Sequence, residues 1–219
     1  MPAKQPPINK TLVQCDFDGT ITEKDVSFML LDAFADSSWR QMLDQYREGR
    51  ITVNYFNTKA FAMIKADKQA LIDLMKPLVR IRPGFHQLLA YCRRQNFRFV
   101  IVSNGQDFYI DEILRGLGEK DIEVFAAHTE FVGHVKAQYI GPDGQPLQDG
   151  FKEAYTRLFL EQGYRIIYIG NGLSDVPPAR LSHRIFATDE MLDCLKKTTL
   201  SYEPFNDLND VTASLKSSE

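Results

Sequence analysis

Apolar residues along the chain follow two spacings, and the change from one to the other divides it into parts. Thr11-Leu12-Val13 starts a short apolar run that reads as a buried strand and stops at Asp16-Phe17-Asp18-Gly19. From there to about residue 80 the spacing is helical. Val26 to Ala35 is almost wholly apolar. Trp39, Met42, Leu43 and Tyr46 mark a second helix, Val53, Phe56, Ala60, Phe61 and Ile64 a third, and Leu71, Leu74, Met75 and Leu78 a fourth. Gly49, Thr52 and Asp67 supply the breaks and caps between them.

Strand and helix then alternate. Pro83 suits the first turn of a helix whose buried face is Phe85, Leu88, Leu89 and Cys92. Phe97 to Val102 is a strand ending at Ser103-Asn104-Gly105. Helix follows from about Gln106 to Leu117, then a short strand from 122 to 126. The alternating stretch Thr129 to Ile140 reads as a hairpin closed by Gly141-Pro142-Asp143-Gly144. Phe151 to Gln162 is helix, and Arg165 to Ile169 is a buried strand stopped by Gly170-Asn171-Gly172-Leu173-Ser174-Asp175. A helix opened by Pro177 and Pro178, a strand from Ile185 to Ala187, a helix through Lys196 and a polar helical tail complete the chain. The pattern predicts an α/β fold, a doubly wound parallel sheet. One crossover needs only one helix, so four in a row after the first strand predict an inserted helical subdomain. Residues 1–21 and 81–219 would form the core domain and 22–80 the insert.

Composition narrows the function without deciding it. The 219 residues are 44% hydrophobic and 25% charged, with a net charge of -3, which gives no reason to expect a nucleic-acid partner. No apolar run reaches the length of a membrane span, and Met1 to Pro7 has no apolar signal core, so that segment reads as a loose lead-in. Cys15, Cys92 and Cys194 are odd in number and lack CxxC spacing. They suit a reducing, cytoplasmic setting and argue against a zinc site. Cys15, opposite in parity to Asp16 along the strand, reads as core packing. His86, His128, His134 and His183 have no metal-ligand spacing.

Four strand ends carry polar clusters: Asp16 with Asp18, Ser103-Asn104-Gly105, Lys152 after the hairpin, and Asn171 with Asp175. The carboxyl ends of parallel strands converge on one edge, where open α/β sheets bind ligands. A carboxylate nucleophile, a hydroxyl with nearby amides, a lysine and a second acidic loop together describe a phosphoryl-transfer site. Two like charges about 4 Å apart repel by roughly 4 kcal/mol at an effective dielectric near 20. A phosphate approaching Asp16 therefore needs cations, which Lys152 and a magnesium ion held by oxygens would supply. Ser103 and the amides of Asn104 and Gly105 would bond the phosphate oxygens. Asp16 would attack phosphorus, and Asp18 would protonate the leaving oxygen and then activate water. Lys136, before the turn, is a rival to Lys152.

These motifs, in this order over residues 12 to about 190, resemble those of the haloacid dehalogenase superfamily. The resemblance implies a Rossmann-like core, a magnesium-dependent phosphatase with an aspartate nucleophile, and metal ligation by Asp16, the main-chain carbonyl of Asp18, Asn171 and Asp175. The insert is similar to the cap of the phosphoserine phosphatase-like branch. Within that branch Thr22-Glu23-Lys24-Asp25, Ser103 to Phe108 and Phe186-Ala187-Thr188-Asp189 look most like the methionine-salvage phosphatases.

One residue departs from the family, which usually has aspartate at Asn171. An asparagine oxygen can ligate magnesium but brings no charge, so weaker metal affinity is expected, with Asp175 left to anchor the loop; Asn171-Gly172 is also a deamidation-prone dipeptide. Asp25, Phe28 and Arg50 are the candidates for substrate selectivity, although Phe28 also fits the core of the insert and Arg50 a solvated surface. The expected partner is a small phosphorylated metabolite. Phosphoserine or a phosphocholine-type ester is the second substrate class, and a non-catalytic phosphate-binding module weakened by Asn171 is the alternative of another kind.

Overall fold

In the computed structural model, which describes residues 10–217, the apolar run before Asp16 is the strand β1 (Lys10–Cys15). It lies between the parallel strands β2 (Arg98–Gln106) and β5 (Tyr164–Gly170), with registers Val13↔Phe99 and Val13↔Ile167. Outward from β2 come β3 (Glu123–Phe131), parallel, and β4 (Val135–Gln138), antiparallel. Outward from β5 come β6 (Arg184–Ala187) and β7 (Glu203–Pro204), both parallel. The seven-stranded order is β4-β3-β2-β1-β5-β6-β7, so β1 is central and strand order reverses around it. That reversal opens a crevice at the carboxyl end of β1.

Alternation along β1 feeds two cores. Val13 and Cys15 join one face with α5 (Phe85–Arg94), α6 (Asp107–Gly116) and α10 (Leu208–Lys216). Leu12 joins the other, with Val100, Val102, Ile166 and α7 (Phe151–Glu161). A third cluster packs Tyr168, Ile185 and Ala187 beneath the short helix α8 (Val176–Ala179) and α9 (Asp189–Leu195). Cys15 points away from the crevice, and burial holds its thiol well above the usual range. All three cysteines are free thiols.

The stretch between β1 and α5 holds α1 (Val26–Phe34), α2 (Trp39–Arg47), α3 (Val53–Phe61) and α4 (Lys68–Met75). Asp25, Thr52 and Asp67 accept the N-terminal amides of α1, α3 and α4, as their side-chain chemistry favours. A single antiparallel bridge, Thr22 to Ile81, clasps the two ends of the stretch. Its apolar faces are continuous with the core on the Val13 side of the sheet.

Three details differ from the sequence reading. Ser103-Asn104-Gly105 lies inside β2 and not beyond it, at a break in the β2–β3 register between Val102 and Gln106. The hairpin turns earlier than expected, at Val132-Gly133-His134, where Gly133 adopts φ 82°. Gly141 to Gly144 forms a second turn, closed by the lone bridge Ile140–Pro146. The tail is not merely polar, because Leu208, Val211 and Leu215 of α10 are buried in the main core. The lead-in Met1 to Pro7 lies outside the described residues. Among those described, no helix is long and apolar enough to cross a membrane.

Candidate active site

A cavity of about 370 Å³ lies where the carboxyl ends of β1, β2 and β5 meet α1, α2 and α3. Its floor is Asp16, Asp18, Ser103, Asn104, Gly105, Lys152 and Asn171; its walls include Asp25, Phe28, Leu43, Tyr46, Arg47, Val53 and Phe56. The size suits a small metabolite.

Asp16 and Asp18 both lie past the end of β1, so strand parity does not orient them. They are held from opposite sides. The Asp16 amide continues the ladder by donating to the Ile169 carbonyl at 2.9 Å. Its Oδ1 meets Lys152 Nζ at 2.7 Å. Burial and the nearby Asp175 charge push the Asp16 carboxyl up to about 7, while Lys152 pulls it down. Asp18 Oδ1 accepts from the Val26 amide at 2.9 Å, and its Oδ2 accepts from the Tyr109 hydroxyl. Burial, and then the charge on Asp25, push Asp18 up to about 8 against those two donors. Burial thus favours the protonated form of Asp18. Asp25 is raised to about 7, by burial first, and its Oδ1 accepts from the Phe28 amide at 2.8 Å.

Lys152 lines this cavity and Lys136 does not. Lys152 lies in the first turn of α7, is 3% exposed, and bridges Asp16 Oδ1 and Asp175 Oδ1 at 2.7 Å each. Burial alone would lower its pKa, but the two carboxylates together raise it above the usual lysine range. Lys136 is exposed and paired with Glu130 at 2.6 Å.

Asp175 is fully buried with all its acceptor sites taken. Oδ1 accepts from Lys152 and from the Tyr168 hydroxyl at 2.6 Å; Oδ2 accepts from the amides of Asn171 at 3.1 Å and Gly172 at 2.8 Å. Asp175 does not line the cavity, although it was expected among the metal ligands. It anchors the lysine and the loop instead.

Gly105 also differs from expectation. Its amide donates to Ser103 Oγ at 3.0 Å and is not free for phosphate. A Cβ at Gly105 would collide with the Tyr109 hydroxyl and Asp18 Oδ2, so the missing side chain makes room for that pair. The Ser103 hydroxyl, accepting from Gly105, keeps its own proton to donate. Asn104 faces the insert: its carbonyl accepts from Asn57 Nδ2 at 2.9 Å and from the Tyr139 hydroxyl at 2.5 Å, and its amide group donates to Asn54 Oδ1 at 3.1 Å.

Of the selectivity candidates, Asp25 and Phe28 line the cavity, with the Phe28 ring 5.3 Å from that of Trp39. Arg50 does not. It lines a neighbouring cavity and pairs with Glu48, because the α2–α3 turn carries it outward. Arg47 lines the cavity instead, bound to Glu190 of α9 at 2.6 Å. Sequence reasoning missed Tyr109, Asn57, Tyr168 and Arg47. The first three sit at buried positions where a core role is the ordinary reading, and only their hydroxyl or amide group marked them.

Oxygen donors dominate the floor. Asp16 Oδ2 is left out of the Lys152 contact, and Asn171, on the β5 loop, lines the same cavity with its Oδ1 accepting from Thr20 Oγ1 at 3.1 Å. No histidine or cysteine lines the cavity, which fits a hard cation and not zinc. Among the described residues no three His, Cys, Asp or Glu side chains form a metal cluster. An ion between Asp16 and Asn171 would rest on one carboxylate oxygen, a neutral amide oxygen and water, as magnesium tolerates.

The family model of haloacid dehalogenase-like hydrolases matches residues 13–180. The chain belongs to this family. It is 30% identical to the 2-hydroxy-3-keto-5-methylthiopentenyl-1-phosphate phosphatase of Bacillus pumilus, over 92% of this chain and 90% of that one. The enzyme of the same name from Bacillus velezensis is 28% identical over 94% and 89%. Among solved structures, phosphoserine phosphatase of T. onnurineus superposes with a TM-score of 0.70 at 17% identity, covering 98% of both chains. That likeness is one of fold. As a haloacid dehalogenase-like hydrolase, this chain has its carboxylates at the carboxyl end of β1 and its buried lysine on α7.

Proposed function

We propose that this hydrolase is a magnesium-dependent phosphatase that cleaves a small-molecule phosphomonoester through an aspartyl-phosphate. The reading rests on one arrangement above all. Asp16 lines the cavity with one oxygen tied to Lys152 and the other left out of that contact, while burial favours the protonated form of Asp18 nearby. Asp16 Oδ2 attacks phosphorus, and the bond to the substrate oxygen breaks as Asp18 gives that oxygen its proton. The Asp18 carboxylate then takes a proton from water, whose oxygen attacks phosphorus and releases Asp16 and phosphate. Lys152 and the Ser103 hydroxyl face the phosphate oxygens throughout. Magnesium, held by Asp16 and the oxygens of Asp18 and Asn171, would supply the positive charge that lets a dianion approach a carboxylate.

The first candidate substrate is 2-hydroxy-3-keto-5-methylthiopentenyl-1-phosphate. The names of the relatives support it, as does an apolar wall of Phe28, Leu43, Val53 and Phe56 that suits a thioether tail. A phosphorylated amine of the phosphoserine or phosphocholine kind is the second reading, favoured by Asp25, whose carboxyl borders the same cavity. Residues 22–80 are read as the cap that selects between them, and three free thiols suit a cytoplasmic setting. Hydrolysis of p-nitrophenyl phosphate with and without magnesium tests the chemistry. Asp16→Asn is expected to leave less than about a thousandth of the wild-type rate, as loss of a nucleophile does elsewhere. Activity that survives it would refute the nucleophile. Phosphate binding without turnover in the wild type would instead favour a binding module. A panel of phosphorylated metabolites ranks the substrates.

A further inference from the structure

The charges facing the cavity floor are fewer than its acidic residues suggest. Asp175 has both oxygens filled by Lys152, Tyr168 and two amides. Asp18 takes one donor on each side-chain oxygen, the Val26 amide on Oδ1 and the Tyr109 hydroxyl on Oδ2. Asp16 gives Oδ1 to Lys152, and its Oδ2 is left out of that contact. Asn171 presents an oxygen on a neutral amide, already bonded by Thr20. A divalent cation held between Asp16 and Asn171 therefore meets one carboxylate oxygen from that pair, with a buried ammonium 2.7 Å from its partner oxygen, while Glu23, Asp25, Asp189 and Glu190 border the same cavity.

We propose that magnesium and phosphate bind this site as a coupled pair, the phosphate dianion supplying the negative charge that Asn171 does not. This rests on the phosphatase reading above and adds an order to it. The free protein holds the ion weakly, and the phosphoryl group and the ion enter together. Departure of product phosphate then loosens the ion. Linkage makes the effect reciprocal, so magnesium must tighten phosphate by the same factor. A charged side chain at position 171 would hold the ion by itself and weaken the coupling.

Isothermal titration calorimetry on the full chain tests this directly, with magnesium chloride as titrant in the absence and presence of saturating inorganic phosphate. An intact-mass spectrum should first show that Asn171 is not deamidated. The expected result is magnesium binding at least about tenfold tighter with phosphate, within the ordinary range of coupled sites, and an equal gain in phosphate affinity with magnesium. Asn171→Asp should bind magnesium more tightly without phosphate and show a smaller coupling factor. Asn171→Ser, neutral and small, should keep strong coupling at lower affinity, which separates charge from disturbance of the loop. Equal magnesium affinity with and without phosphate in the wild type, or undiminished coupling in Asn171→Asp, would overturn the proposal. Hydrolysis of p-nitrophenyl phosphate by the same preparation distinguishes the two failures. Magnesium-dependent turnover with uncoupled binding overturns the coupling alone; no turnover and no magnesium binding in either condition overturns the phosphatase reading and the coupling with it.

Discussion

Tyr109 and the Val26 amide hold both oxygens of Asp18, and each favours its charged form. Burial outweighs them, which is why the carboxyl reaches about 8 and can donate a proton at neutral pH. Tyr109→Phe removes one of the opposing donors, so Asp18 should rise further. On the proposed mechanism the limbs of the pH–rate profile that Asp18 controls move to higher pH. The maximal rate should fall by about tenfold, less than the 10²–10⁴ that general acid–base catalysis supplies. A pH series of kcat for both proteins checks it, and an unmoved profile would remove Asp18 from the acid role. Ser27 limits the structural damage, since its hydroxyl bonds Tyr109 at 2.8 Å and remains beside the vacated position.

The element that links insert to sheet is α3. Asn57 donates to the Asn104 carbonyl and, at 2.9 Å, to the Tyr139 hydroxyl; Asn54 accepts from the Asn104 amide and donates to the Leu147 carbonyl at 3.2 Å. One helix thereby fixes the end of β2 and the turn after β4. Asn57→Ala should destabilise the protein by about 1 kcal/mol, the low end for a broken buried hydrogen bond, because Tyr139 still serves the Asn104 carbonyl. It should also raise KM for phosphomonoesters more than it lowers kcat, since the Ser103 segment of β2 loses support while Asp16 and Asp18 keep theirs. Urea unfolding and steady-state kinetics read the two effects separately. On the other side of the mouth, the Arg47–Glu190 pair joins α2 to α9 with both side chains about half exposed. Such a pair contributes little to stability, at most about 1 kcal/mol.

For the whole molecule the buried carboxyls govern how stability follows pH. Asp16, Asp18 and Asp25 are raised by burial to about 7, 8 and 7. Each contributes stability that is complete below the ordinary carboxylate range and is lost as pH rises through those values. Glu203 runs the other way: its bonds to Arg184 lower it, so its contribution exists above the ordinary range and is lost as pH falls. The metal-free protein should therefore be most stable in mild acid, with Tm lower at about pH 8.5 than at about pH 6. Magnesium with phosphate should restore much of the loss at the higher pH, because binding to the folded state alone stabilises it. Thermal unfolding in EDTA, and then with both ligands, measures this. A Tm that rises steadily across that range in EDTA would contradict the assignment of raised carboxyls.

The order of elements and the four strand-end clusters were readable in the sequence because they depend on local spacing. Apolar period, Gly and Pro breaks and capping side chains are properties of neighbouring residues. The choice of Lys152 over Lys136, the withdrawal of Asp175 from the cavity, and the use of Gly105 as space for Tyr109 and Asp18 could not be read that way. Each depends on side chains from separate elements meeting in a buried volume, where a polar atom must find a partner and an unfilled one is costly. The sequence by itself determined which acids stand at the end of β1. Only the tertiary structure decided their chemical state, because burial and the facing residues of α6 and α7 set the charge each one carries.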